Sequence, residues 1–222
     1  WAEISKKLYV WHYVTNFRHY LLPHPNLRTL KPDIRFFVKN KVKGIFAQGN
    51  SQSPAGELHE LRTWLLAKLL WNPDADSEKL MDEFLTGYYG AAAPFLREYI
   101  DLMHDSAEKT KPELNCYAKE DSLFLTQEVL DKASVIFDNA ENAVKTDSVL
   151  LKRVQTARLP VFFAVLQKDS FVYKLDGNIL KPQLPANKKE RMLRDFEKIA
   201  KAAGLTHLWE GFSSTLESQL EN

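Results

Sequence analysis

The chain has 222 residues, 45% hydrophobic and 12% aromatic, enough to bury a sizeable core in one domain or two and too much to be read as disordered. A net charge of +1 with 27% charged residues gives no one-sided field, which argues against nucleic acid or an anionic membrane surface as a partner. No apolar run approaches the roughly 20 residues of a membrane span, and the single cysteine, Cys116, supports neither a disulfide framework nor a zinc site.

The first predicted element is a strand over Leu8 to Tyr13, LYVWHY, rich in aromatic and β-branched residues and apolar on both faces. That pattern predicts a strand buried on both sides, as in a parallel sheet covered by helices. A long loop punctuated by Pro23, Pro25 and Pro32 follows. A helix is then expected over Pro32 to Asn40, with Pro32 in its first turn, Asp33 at the positive end of its dipole, and Ile34, Phe37, Val38 and Lys41 on one face. A second strand over about Val42 to Ala47 would complete one right-handed βαβ unit. The loop from Gln48 to Gly56 carries Gly, Asn, Ser, Gln and Pro.

From Glu57 to Leu70 the spacing of Leu58, Leu61, Leu65, Leu66 and Leu69 predicts a helix, widened by Trp64 and Leu70 until it must pack on several sides. Asn72 and Pro73 end it, and Asp74 to Ser77 cap a second helix that closes at Gly90. Beyond Gly90 the pattern becomes helical throughout. Ala93 and Pro94 open a helix expected to fade from His104 to Lys111. Further helices are predicted around Val129 to Val144, over Ser148 to Gln167 with a kink at Pro160, and from an Asn187 cap to Gly204. Phe171 to Tyr173 fits either a strand or an ordered loop. These elements divide the chain into an α/β part, residues 1–90, and a helical region, residues 91–222.

Glycoside hydrolysis takes two carboxylates about 5 to 9.5 Å apart across the anomeric carbon. Up to Glu60 the acids are Glu3, Asp33, Glu57 and Glu60, and no pair among them is convincing. Glu57, following the loop after the second strand, is the one catalytic candidate, and the first-turn helix carboxylate favoured by the dipole is the stronger reading of it. Sugar recognition asks instead for aromatic faces and for amide or imidazole groups that both donate and accept. Trp11, His12, Tyr13 and Asn16, with Arg18 and His19, supply that inventory around the first loop, and Gln48, Asn50, Ser51 and Gln52 around the second. Gly49 would admit close backbone approach. Core packing is the competing role for Trp11 and Tyr13, which share one face of the pleat while His12 takes the other. The spacings of His12, His19 and His24 match no metal motif, and no cofactor is implied. GNSQSPAG lacks the P-loop lysine and the dinucleotide fingerprint, and no nucleophile elbow or adjacent Cys–His arrangement occurs.

The segments VWHYVTNF, PHPNL, VKGIFAQGN, ELRTWLLAKLLWNPDAD and EFLTGYYG resemble the glycoside-hydrolase-like domain of unknown function 4838 of large secreted bacterial proteins. More distantly, GIFAQGN and the following LLAKLLWNPDADSEKLMDEFLTGYYG are similar to the end of the catalytic barrel in α-glucuronidases. The likeness runs from Leu8 to about His104 and is most specific at Leu69 to Pro73 and Phe84 to Gly90. It implies the last strands of a (β/α)8-type barrel, with a helical region wrapping it and the catalytic acids on strands upstream. It also implies Tyr13, Asn16, Gln48 and Asn50 as substrate-facing positions, a glycan as substrate, and a periplasmic or secreted location, although no signal peptide opens the chain. Because the chain opens on Trp1 rather than methionine, an N-terminal part of the same polypeptide is expected as a partner, and self-association through surfaces that part would cover. A noncatalytic glycan-binding or degenerate barrel module, or a helical scaffold for domain contacts, is the alternative.

Overall fold

A computed structural model describes residues 1–54, 56–118, 122–169, 173–176, 179–182, 185–211 and 215–216. Strand β1 (Tyr9–Tyr13), helix α1 (Leu27–Lys39) and strand β2 (Gly44–Gln48) form the βαβ unit, with β1 and β2 parallel in the register Tyr9 to Gly44 through Tyr13 to Gln48. Helices α2 (His59–Trp71) and α3 (Ser77–Tyr89) follow, then a single 3-10 turn (Gly90–Ala92) and α4 (Ala93–Thr110). Helices α5 (Gln127–Ala143) and α6 (Ser148–Asp169), a hairpin of β3 (Tyr173–Asp176) and β4 (Ile179–Pro182), and α7 (Ala186–Ala203) complete the order. The protein is helix-dominated, and its described strands form two separate two-stranded sheets.

Several expectations need correcting. β1 is not buried on both faces: Tyr9, Trp11 and Tyr13 are exposed, while Val10 and His12 are on the opposite face of the pleat. The ring of Phe37, from α1, meets His12 edge-on at 5.4 Å. Helix α1 starts five residues before Pro32, which therefore lies inside it. Its buried stripe is Leu27, Leu30 and Ile34, with Phe36 and Val38 exposed, and Asp33 sits 3.6 Å from His12 rather than at a helix start.

The early start has a physical cause in the buried ring of His104. Its Nε2 accepts from the Leu27 backbone N–H at 3.0 Å, while its Nδ1 lies 2.8 Å from the Ile100 carbonyl. An imidazole from α4 thus caps a helix far away in sequence. The same residue explains why α4 does not fade at His104, because Met103, His104 and Ala107 continue its buried stripe to Thr110.

The remaining helices follow their signals closely. Asp76 caps α3 by accepting from the N–H groups of Glu78 and Lys79, and Gly90 ends it at a positive φ of 54°. Helix α6 runs through Pro160, and Gly204 closes α7 in the left-handed region, although Pro185 rather than Asn187 occupies the N-cap. Tyr173 begins β3; Phe171 and Val172 lie outside the described residues.

The segment between β1 and α1 is the least loop-like of loops. Val14, Phe17, Tyr20, Leu21 and Leu22 are buried, so its backbone needs partners. The Phe17 N–H donates to the Cys116 carbonyl and the Tyr20 N–H to that of Leu208, both at 2.8 Å, and the Phe17 carbonyl accepts from the Glu210 N–H at 3.0 Å. One hydrophobic core runs from this segment through α1 to α6 and on to Phe196, Leu205 and Leu208.

Candidate functional site

The side of the β1–β2 pair carrying Tyr9, Trp11 and Tyr13 is an open aromatic surface. Parallel register puts Phe46 beside Trp11 and Gln48 beside Tyr13 on that same side. Trp11, 63% exposed, meets the Phe46 ring edge-on at 5.0 Å and donates from its indole Nε1 to the Gln48 Oε1 at 2.6 Å. Tyr9 lies across Gly44, where a Cβ would come within 2.7 Å of its ring. The rings continue past the strand end, from Trp11 to Tyr13 at 6.3 Å, to Phe17 at 5.4 Å and to Tyr117 at 6.1 Å. There they border a cleft of about 520 Å³ lined by Phe17, Arg18, His19, Tyr117, Trp209 and Glu210.

The sequence-predicted residues divide between this surface and its support. Trp11, Tyr13 and Gln48 stand on it, and Arg18 and His19 line the cleft. His12 is on the other side of the sheet beside Asp33, where burial lowers its pKa against the raising influence of that carboxylate. Asn16 is buried and its amide is already bonded: its Nδ2 donates to the Ala118 carbonyl at 2.8 Å and its Oδ1 accepts from the Arg18 N–H at 3.0 Å. Asn50 bonds within its own loop, donating to the Ser53 carbonyl at 2.6 Å. Gln52 ties that loop to the C-terminal segment, its Oε1 accepting from the Gly211 N–H and its carbonyl from the Thr206 hydroxyl. Asn16, Asn50 and Gln52 therefore shape the loops that border the surface.

Glu57 is neither on this surface nor in a helix turn. It precedes Leu58, which adopts a left-handed φ of 46°, and α2 begins only at His59. Glu57 is 4% exposed, and its carboxylate accepts from the Arg62 Nη2 at 2.7 Å. Arg62, 3% exposed, also donates to Asn26 Oδ1 at 2.9 Å and to the carbonyls of Glu57 and His24. One guanidinium thus fastens the end of the first loop to the start of α2. Burial, reinforced by the Arg62 charge, lowers the His24 pKa to about 3, so this imidazole is neutral.

The three histidines go to three different places, and the described residues contain no group of three or more His, Cys, Asp or Glu able to hold a metal. Sequence reading passed over Tyr117, Trp209 and Glu210. Their only signal was an aromatic residue in a polar linker and a Trp–Glu pair shortly after the Gly204 helix stop.

No curated protein matches the chain, and no solved structure does either. Residues 1–101 match the family model described as Domain of unknown function (DUF4838), a span that holds both strands of the aromatic face and the first loop but ends before Tyr117, Trp209 and Glu210.

Proposed function

We propose that the aromatic strand-end surface binds a glycan, and that the chain is the substrate-facing C-terminal part of a carbohydrate-active protein resembling glycoside hydrolases that works outside the cytoplasm. The observation that carries this reading is the run of exposed rings Phe46, Trp11, Tyr13 and Tyr117, the last two joined through buried Phe17, leading into a cleft edged by Arg18 and Glu210. Flat aromatic faces suit the C–H faces of sugar rings, and the charged and amide groups beside them suit hydroxyls. A cleft of about 520 Å³ lies within the size range of small-ligand sites. Among its described lining residues Glu210 is the one carboxylate, so the role proposed is recognition rather than bond cleavage. In the last βα unit of a (β/α)8-type barrel the carboxyl ends of β1 and β2, at Tyr13 and Gln48, would lie at the barrel mouth, where such folds place ligands.

Calorimetric titration with a panel of neutral and acidic oligosaccharides tests the reading. At least one is expected to bind, and Trp11→Ala and Tyr117→Ala, both at exposed positions, are each expected to weaken it roughly tenfold, equivalent to about 1.4 kcal/mol. Affinity indifferent to both substitutions would overturn it.

A second reading has its own observation. No other described strand pairs with β1 or β2, and Tyr9, Trp11 and Phe46 form one exposed apolar face, which is the form of a surface covered by protein.

A further inference from the structure

Helix α6 packs against both α5 and α7, and between these two lies a groove of about 810 Å³. Its floor is apolar, with Phe162 and Val165 from α6 and Met192 and Ile199 from α7. The two rims differ in sign. Asp131, Asp138 and Glu141 line the α5 side, whereas Lys188, Arg191 and Lys198 line the α7 side, with Asp195 the one acid among them. Arg158 at the floor turns its guanidinium to the acidic rim, reaching Asp138 at 2.7 Å and Glu141 at 2.8 Å, and stacks over Phe162 at 4.7 Å. Its Nε is buried with no hydrogen-bond partner.

We infer that this groove docks an amphipathic helix of a partner protein, with its apolar face on the floor, a basic edge along α5 and an acidic edge along α7. Size supports this occupant. Lys188 to Ile199 spans about 17 Å at a rise of about 1.5 Å per residue, so the bound helix has roughly three turns. A cylinder of that length and about 10 Å diameter, half sunk, displaces about 670 Å³, close to the space present. Charge supports it as well. With Arg158 paired to Asp138 and Glu141 the α5 rim is still net negative and the α7 rim net positive, so the rims disfavour a helix whose two edges are both acidic or both basic, and they fix the direction of a helix that carries both signs. Turning such a helix end for end exchanges its edges, so only one of its two directions is complementary.

Three fluorescent 14-residue helical peptides with one shared leucine face provide the probe. One has lysine on one edge and glutamate on the other, the second has glutamate on both edges, and the third has lysine on both. Anisotropy at low salt is expected to show the mixed peptide binding at least tenfold tighter than either uniform one. In the double variant Arg191→Glu/Lys198→Glu, whose positions are both exposed, preference should pass to the all-lysine peptide while circular dichroism stays unchanged. Equal binding of all three peptides, or binding of none to the natively folded chain, would overturn the inference. So would a dimer in sedimentation that Val135→Glu dissolves, because the occupant would then be a second copy.

Discussion

Replacing Arg62 by methionine should be among the most damaging single changes available to this chain. The guanidinium is 3% exposed and bonded to the Glu57 carboxylate, the Glu57 and His24 carbonyls and the Asn26 side chain. Methionine fills most of the volume but leaves a buried carboxylate without its counter-ion, which costs about 3–5 kcal/mol. Solvent screening offers little relief, since both partners are almost wholly enclosed. Against a typical total stability of about 5–15 kcal/mol this is a large fraction. With a urea m-value of about 2–3 kcal/mol/M, the unfolding midpoint should fall by about 1–2.5 M. Glu57→Gln leaves the buried cation under-compensated and should cost somewhat less. The double variant Glu57→Gln/Arg62→Met removes both charges and should be more stable than the sum of the single losses implies, by about 1.5 kcal/mol or more. Urea unfolding followed by tryptophan fluorescence measures all four proteins. A loss below about 1 kcal/mol for Arg62→Met, or strict additivity in the cycle, would refute the role given to this pair.

Acid should destabilise the protein through His24. Its folded pKa of about 3 lies below the ordinary 6.5, so the unfolded chain takes up the proton first. Stability from this group is complete above about pH 6.5 and falls by about 1.4 kcal/mol per pH unit down to about pH 3. His24→Phe, which sacrifices no bond at the unpartnered Nδ1, should flatten the slope between those limits by about one proton; an unchanged slope would count against the assignment. Gly90→Ala forces a side chain onto a φ of 54° and brings a Cβ within 2.8 Å of Leu150, so it should cost about 1–3 kcal/mol and lower Tm by several degrees in a calorimetric scan. Analytical ultracentrifugation should show concentration-dependent association that Phe46→Lys abolishes, and a clean monomer at high concentration would count against self-association through this face.

What was legible in the sequence were features set by neighbours along the chain. The two strands, the Asp76 cap and the Gly90 stop are decided within a few residues, and the structure has them within a residue or two of their signals. What was illegible depended on partners far away. An aromatic strand has the same composition whether its outer side is buried or open, so LYVWHY could not announce that Trp11 is exposed. The start of α1 is set by a histidine of α4, and the role of Asn16 by the Ala118 carbonyl more than a hundred positions on. Glu57 missed its helix turn because Leu58, a residue with no preference for positive φ, takes the left-handed conformation. The buried character of the first loop did have a signal, Phe17, Tyr20, Leu21 and Leu22 together, outweighed by its prolines.

The same long-range bonds bear on where the functional unit ends. The family match stops at residue 101, yet both strand-end loops are completed by later residues: Phe17 bonds to Cys116 and Glu210, Tyr20 to Leu208, and Gln52 to Thr206 and Gly211. The Phe17 and Tyr20 groups are buried, so removing their partners would strand polar backbone at a cost of about 1–3 kcal/mol each. The cleft, too, takes Tyr117, Trp209 and Glu210 as walls from that later part. Three stretches of chain far apart in sequence, the strands with their loops, the segment of Cys116 and Tyr117, and the later stretch from Thr206 to Gly211, therefore build one surface. If that surface recognises a glycan, its specificity depends on the later stretch as much as on the strands, and Trp209→Ala should change which oligosaccharide is preferred while Trp11→Ala weakens them all. A Trp209 variant that loses every ligand in equal proportion would show instead that the cleft does not discriminate.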